Sequence, residues 1–374
     1  TERGINPYPA VSNRTHMIGA ALADFDVLVS SGEIITIAGR VLVIRGQGAI
    51  LFLDILDGSG KFQTVLKSDV LDGDAFTLFK DVVDSGDFIE VSGTLFTTEK
   101  GQRSILVSSW RMLSKSLLPL PDKYHGLQNE EERFRKRYLD LLMHGDMRSM
   151  FVRKERFWDV TRLFLKKRGF LEVETPTLEV TTGGAEARPF QTHHNDFDID
   201  VYLRISVGEL WQKRLLASGF DKTFEIGRTF RNEGTSPNHL QEFTNMEFYW
   251  GYANYEDGMA LVEDMYRTIV SEVYGKTEFT RGEYTFDLAA PWTRIDYTEE
   301  IAKQTGIDIV STDESAIKER LRELGVAYDG DTKERLIDTL WKYCRKNIAG
   351  PAFVINHPKL VSPLAKGVEG HPDA

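Results

Sequence analysis

A chain of 374 residues with 41% hydrophobic and 28% charged residues is too long for one domain of typical size and sufficient for two packed ones. A formal net charge of −11 excludes coating of nucleic acid through bulk positive charge, while leaving room for a local basic groove. The single cysteine, Cys344, excludes an internal disulfide and a cysteine zinc site and fits a reducing cytoplasm, and no stretch nears the roughly eighteen apolar residues of a membrane span.

In chain order, residues 1–30 read as a polar lead-in with one apolar helical piece near 17–25. Strands are predicted over 35–44, 49–56 and 61–67, with Asp-Gly-Ser-Gly at 57–60 as a hairpin turn, because glycine accepts positive φ. Phe76, Leu78, Phe79, Val82 and Val83 give helical spacing over 74–83, and strands over 88–97 and 103–113 follow. Three strands, a short helix and two strands predict a five-stranded Greek-key β-barrel of the oligonucleotide-binding type, or another small barrel made from the same elements.

Leu-Pro-Leu-Pro-Asp at 118–122 is a proline-stiffened connector, and 129–142 a charged helix. A helix over 152–168 carries Phe157, Val160 and Phe164 on one stripe, stops at Gly169, and leads into a strand over 170–175 that Pro176 ends. Strands and helices then alternate with no βαβ rhythm. This predicts a mixed, mostly antiparallel sheet flanked by helices, and an α+β class for the whole chain. The charged stretch 312–345 reads as a solvated helical insertion between core strands. His193 and His194 are neighbours on a strand and point to opposite faces, which disfavours a shared metal ion. Lys-Lys-Arg at 166–168 complements a helix C-terminus, and Cys344 is expected to be a packed thiol.

The segment 223–252 places two strand-like runs around a loop rich in Gly, Ser, Pro and Asn. Alternate side chains of a strand share a face. Phe224, Ile226, Arg228 and Phe230 therefore oppose Glu225, Gly227, Thr229 and Arg231. On the return strand Phe243, Asn245, Glu247 and Tyr249 oppose Thr244, Met246, Phe248 and Trp250. One face is expected to present a guanidinium, a carboxylate, a phenol and an aromatic ring, with the small Gly227 and Thr229 leaving room for a ligand. Such a face suits a polar ligand, because unpaired buried charge is costly. Alternation alone is equally met by a solvated outer face.

Phe-Arg-Asn-Glu-Gly at 230–234, then His239 and Glu-Phe-Thr-Asn-Met-Glu at 242–247, closely resembles motif 2 of the class II aminoacyl-tRNA synthetases in its lysyl form. Arg-Gly-Phe-Leu-Glu-Val-Glu-Thr-Pro at 168–176 resembles motif 1, the dimer element of the family. The stretch 118–127 and Arg-Tyr-Leu-Asp-Leu at 137–141 resemble its linker, and Ser-Pro-Leu-Ala-Lys at 362–366 its late core signature. Several ordered motifs make the resemblance specific over nearly the whole chain. It implies an OB-fold anticodon-binding domain with its lead-in at 1–117, a linker at 118–150, and a class II synthetase catalytic domain at 151–374 that is incomplete at the C-terminus. The implied activity is conversion of L-lysine and ATP to lysyl-adenylate, then transfer of lysine to the 3′ end of tRNA(Lys). Mg2+, a homodimer through the motif 1 region and a cytoplasmic location are implied with it.

On this resemblance Arg231 is catalytic, its planar fork holding the lysine carboxylate and the α-phosphate. Arg231, Glu233, His239 and Phe243 bind ATP, with Phe243 stacked on adenine. Gly184, Glu209, Glu247 and Tyr249 bind lysine, and a carboxylate with a hydroxyl would reject uncharged analogues. Arg45, Phe52 and Gln63 hold the anticodon, although periodicity alone assigns Phe52 equally to core packing. Ser-Val-Gly-Glu-Leu at 206–210 is one residue longer than the Ala-Pro-Glu-Leu common in the family, so a slight displacement of Glu209 is expected. The chain opens on Thr rather than Met and closes on a polar tail, so both ends are expected to be trimmed. Metal ligands and the motif 3 arginine are expected beyond Ala374, none of the metal ligands lying within the chain, and the 374-residue polypeptide alone is expected to be inactive or impaired. Three alternatives remain in view. The related family that attaches lysine-type groups to a translation factor lacks the barrel. Aspartyl and asparaginyl relatives usually carry Phe-Arg-Ala-Glu. A non-catalytic tRNA-binding or regulatory synthetase-like protein is opposed by the retained site residues.

Overall fold

A computed structural model describes residues 6–46, 48–121, 127–236 and 239–370. The chain divides into two compact units, Thr1–Met147 and Arg148–Ala374.

The first unit opens with two short helices, α1 (Ile18–Ala23) and α2 (Phe25–Ser31). Strands β1 (Ile35–Arg45), β2 (Ile50–Leu56) and β3 (Lys61–Lys67) follow, then α3 (Gly73–Val82), β4 (Phe88–Thr97) and β5 (Arg103–Ser114). The strands close into a barrel in the order β1-β2-β3-β5-β4, with β3 and β5 parallel. Period-2 alternation builds it: Leu51, Leu53 and Ile55 of β2 point inward, while Phe52 and Asp54 point outward. Helix α3 caps the core with Phe76 and Phe79, and Phe79 meets Trp110 edge-on at 5.0 Å. Gly93 sits where β4 shifts register, and a Cβ there would overlap the Leu106 carbonyl.

The predicted single helix over 129–142 is two, α4 (Glu130–Arg135) and α5 (Arg137–Met143), broken at Lys136. The break lets Arg133, Arg137 and His144 converge on the fully buried Asp140 carboxylate. Residues 122–126 of the connector motif lie outside the described residues.

The second unit is built from α6 (Gly145–Lys167), β6 (Leu171–Glu172), β7 (Leu178–Glu179), β8 (Gln191–His194), β9 (Ile199–Leu203) and α7 (Glu209–Ala217). Then come β10 (Lys222–Phe230), β11 (Glu242–Trp250), α8 (Tyr255–Tyr274) and the hairpin β12 (Glu278–Arg281) with β13 (Tyr284–Asp287). The chain continues through β14 (Thr293–Asp296), α9 (Tyr297–Thr305), α10 (Glu314–Glu323), α11 (Lys333–Cys344) and β15 (Ala352–Ile355). The sheets are β11-β10-β6, β7-β9-β8, β12-β13 and the parallel pair β14-β15. The strand expected over 170–175 shrinks to two residues, because the Thr175 amide turns to the Glu225 carboxylate at 3.1 Å. The outer face of the β10–β11 hairpin packs on α6 and α8 through Phe164, Leu165, Phe224, Leu261, Met265 and Ile269.

The stretch 312–345 does lie between the paired strands β14 and β15, but it is not merely solvated. Ile317, Leu321, Leu336, Ile337, Leu340 and Cys344 are buried in a core of their own with Tyr297 and Ile301. Its charges occupy the other side of each helix, as an amphipathic pattern requires. Among the described residues no helix is long and apolar enough to cross a membrane.

One carboxylate pins the lead-in to the barrel. Asp57, in the β2–β3 turn, accepts hydrogen bonds from the amides of Ile18 (2.9 Å), Ser59 (2.6 Å) and Gly60 (3.0 Å). Burial opposes its ionisation, but these donors and the Ser59 hydroxyl outweigh it and hold the carboxyl below its ordinary 3.8. A depressed carboxyl contributes stability that is full above its unfolded value and is lost as pH falls through the folded value. Asp57→Asn should therefore cost about 1–2 kcal/mol at pH 7. The deficit against the parent should shrink as pH falls below 3.8, as urea unfolding at both pH values would show.

Candidate functional site

Nine residues of β10 pair with nine of β11, setting Glu225 opposite Glu247, Gly227 opposite Asn245 and Thr229 opposite Phe243. The two faces are those expected from alternation. Phe224, Ile226, Met246, Phe248 and Trp250 join the outer core, and the polar set turns to the other side.

Beyond β10 the loop is tied down by main-chain bonds from Arg231 to Gln241 (2.8 Å) and from Asn232 to Arg188 (2.7 Å). Pro237 and Asn238 lie outside the described residues. Arg231, Glu233, His239 and Phe243 line one cavity of about 280 Å3 together with Gly234, Leu240 and Gln241. The Arg231 guanidinium lies 5.4 Å from the centre of the Phe243 ring, and its Nε donates to the Ile205 carbonyl at 3.2 Å. Glu233 accepts the Arg188 amide at 3.3 Å, and His239 Nδ1 lies 2.6 Å from the Ser236 hydroxyl. All four residues expected at ATP are thus brought together.

The residues expected at lysine form a second group. Glu247 Oε1 accepts the Val207 amide at 2.9 Å and the Asn245 side-chain amide at 3.1 Å, while its Oε2 accepts the Tyr249 hydroxyl at 3.2 Å. Burial first, then the charges of Glu247 and Glu209, push the Tyr249 phenol well above its ordinary value, so it stays a neutral donor. Glu209 opens α7 and pairs with Lys213 at 2.6 Å. Gly184, at φ 89°, lies against Ser206 Oγ and Glu209 Oε2, where no Cβ fits. Gly208, at φ 67°, makes the turn into α7 against the Thr175 side chain.

One expectation is corrected. The space over Gly227 is not left for a ligand: the Arg204 guanidinium fills it. Arg204 and Glu225 are 4% and 6% exposed and paired at 2.5 Å. Glu225 belongs to the polar face yet is spent inside the protein. A sequence signal existed, since an arginine within the apolar run Val201-Tyr-Leu-Arg-Ile205 needs a buried partner. Alternation did not identify that partner. Ser206 was likewise not expected at the site, and Asn245 was placed on this face without a role.

In the barrel, Arg45, Phe52 and Gln63 line one groove of about 850 Å3 with Val65, Lys67 and Phe96. Phe52 faces outward between the buried Leu51 and Leu53, so core packing does not claim it. Arg45 pairs with Asp54 at 2.8 Å.

The remaining candidates serve the structure. His193 meets Asp200 at 3.1 Å, whereas the His194 ring packs on Phe197. Lys166 pairs with Glu172 and Arg168 with Asp264. Cys344 is buried, its thiol pushed up to about 11 chiefly by burial. Among the described residues no three His, Cys, Asp or Glu side chains are grouped as potential metal ligands.

Residues 129–373 match the class II tRNA synthetases of the D, K and N group, and residues 35–113 match the OB-fold nucleic acid binding domain. The lysine–tRNA ligase of Roseiflexus sp. (strain RS-1) is 44% identical over 367 residues, covering 97% of this chain and 75% of that protein. The lysine–tRNA ligase of Dehalococcoides mccartyi (strain CBDB1) is 42% identical over 371 residues, covering 97% and 74%. That of Thermosipho africanus (strain TCF52B) is 37% identical over 369 residues, covering 97% and 73%. With both domains matched in order and the hairpin face assembled as described, the chain belongs to the class II lysine–tRNA ligase family.

Proposed function

We propose that the hairpin face of the second unit binds L-lysine beside ATP and joins them as lysyl-adenylate, and that the barrel groove holds the anticodon of tRNA(Lys). The observation that carries this reading is the state of Glu247. Among the described residues its carboxylate is oriented by neutral donors alone, on a half-buried face. A carboxylate held this way lacks a cation, and the lysine ε-ammonium supplies one. Lysine analogues without that charge would leave it unpaired, which is the basis of selection.

Each remaining charge has a partner in this scheme. Glu209, beside Gly184, takes the α-ammonium. Arg231 bridges the lysine carboxylate and the α-phosphate, and Phe243 stacks on adenine, with Glu233 and His239 toward the rest of the nucleotide. A lysine carboxylate oxygen then attacks the α-phosphorus, and the bond to pyrophosphate breaks. Arg231 stabilises the charge that gathers on the phosphoryl oxygens. The terminal ribose hydroxyl of the tRNA next attacks the lysyl carbonyl, and AMP leaves. Positioning and electrostatics carry both steps, so no protein nucleophile is required. Mg2+ bound with ATP would neutralise charge on the departing pyrophosphate.

The domain limits belong to the same proposal: 1–117 for anticodon binding, 118–150 as linker and 151–374 for catalysis, with motif 1 at 168–176 as a homodimer element in the cytoplasm. Outward-facing Phe52 offers a stacking surface, and Gln63 and Arg45 offer polar and charged edges to an unpaired base.

Two sets of variants test this. Arg231→Lys should lower lysine-dependent ATP–pyrophosphate exchange by the complete gene product about 100-fold or more, because an ammonium lacks the fork. Glu247→Gln should abolish calorimetric lysine binding to this chain while leaving nucleotide binding intact. Retained lysine affinity in Glu247→Gln would sink the assignment. Separately, Phe52→Ala should raise KM for tRNA(Lys) roughly 5- to 100-fold, the equivalent of one lost base stack, with exchange unchanged. An equal loss of exchange would deny the barrel its separate role.

A further inference from the structure

Residues 204–209 form a strap whose backbone reaches both groups of the site. The Ile205 carbonyl takes Arg231 Nε at 3.2 Å, and the Val207 amide meets Glu247 Oε1 at 2.9 Å. Between them Ser206 Oγ donates to the Gly183 carbonyl at 2.8 Å, next to Gly184. The Val207 carbonyl is held in turn by Gln212 Nε2 at 2.9 Å, and Gln212 accepts from Thr223 Oγ1 at 2.9 Å.

The strap is anchored at its first residue. Arg204 donates through Nε to the Arg228 carbonyl at 2.8 Å. Its Nη1 reaches Glu225 Oε1 at 2.5 Å, and the Thr175 carbonyl and hydroxyl at 3.3 Å each. Glu225 Oε2 takes the Thr175 hydroxyl at 2.6 Å. The backbone of Arg204 bonds to the Thr177 carbonyl and the Phe230 amide, each at 2.9 Å. One guanidinium therefore locks the strap, the segment after β6 and strand β10 at a single point. A buried ion pair adds little net stability over an apolar pair, but its geometry is specific. A lysine there would keep the charge and lose the planar set of donors.

We propose that Arg204 is a positioning residue that makes the two halves of the site act as one, by setting the strap to which Arg231 and Glu247 are both bonded. This rests on the assignment of Arg231 to ATP and Glu247 to lysine made above. Occupancy of either half then fixes the strap and improves the other half, a reciprocal coupling.

Calorimetry of lysine alone, of α,β-methylene ATP alone, and of each in the presence of the other tests the idea. The proteins are the parent, Arg204→Lys and the double variant Arg204→Met/Glu225→Met, with thermal melts alongside. The parent should bind each ligand about fivefold or more tightly when the other is present. Both variants should lose that enhancement, and their affinities for both ligands should fall about tenfold together, a misplacement effect. If Arg204→Lys does not fold, the double variant, which removes both members of the ion pair, carries the comparison. Parent-like affinities and enhancement in a folded variant, whatever its melting temperature, would reduce Arg204 to a structural residue. A parent without mutual enhancement would overturn the coupling as well. The controls Arg231→Lys and Glu247→Gln separate the two levels. If neither changes its own ligand's affinity, the site assignment fails, and not the strap.

Discussion

Register in the β10–β11 hairpin decides which chemical groups meet. Because side chains alternate, a slip of β11 by one residue would turn Met246, Phe248 and Trp250 toward the site and bury Glu247 and Asn245 in the outer core. The register is held from the far side, where the aromatic and aliphatic set packs on α6 and α8. Phe170 touches both Phe248 and Trp250 edge-on, at 5.6 and 5.7 Å. Hydrophobic packing on one face thus supplies the precision that hydrogen bonds use on the other.

That register creates a problem at its centre. Glu225 and Glu247 are directly cross-strand, and like charges so placed repel. The structure resolves this by giving the two carboxylates different surroundings. Glu225 receives a guanidinium and the Thr175 hydroxyl and is almost wholly buried. Glu247 receives an amide N–H, a carboxamide and a phenol, and is only partly buried. Pairing one carboxylate internally leaves the other held by neutral donors, as the proposed lysine pocket requires. Gly227, two positions along β10 from Glu225, makes this possible, since any Cβ there would displace the guanidinium.

Where a segment follows one simple period, the sequence was readable. Strand β2 and the hairpin faces obey alternation almost residue by residue, and Gly169 stops its helix as expected. Misreadings arose where a buried charge overrules local pattern. Asp140 draws cations from both sides and splits one helix into two. Arg204 takes the room that a small residue opposite it advertised. The first two turns of α6 are largely exposed although they carry Met147, Met150, Phe151 and Val152, and the helix starts ahead of the predicted 152–168. Similarly, the abundance of charge in 312–345 obscured a stripe of apolar residues that builds a separate core. Burial of a charge depends on partners distant in sequence, and no short window contains them.

The same distinction between local and summed charge bears on an acidic chain that handles polyanions. At physiological ionic strength the field of an exposed charge decays over about 8 Å, so the net charge of −11 says little about any one groove. In the barrel groove Arg45, Lys67 and Lys100 stand with Glu99 as the one acid among the described lining residues. In the hairpin loop Arg231 lies over an aromatic face with His239 on the same cavity wall. Arg45, Lys67, Lys100 and Arg231 act at contact distance, where screening is weakest. The acidic remainder repels polyanions only where they come close to it, so binding is favoured where the geometry fits and not elsewhere. An acidic surface with a few placed cations is therefore a device for specificity, and it is consistent with recognition of a nucleotide and of unpaired bases by shape and stacking more than by bulk attraction.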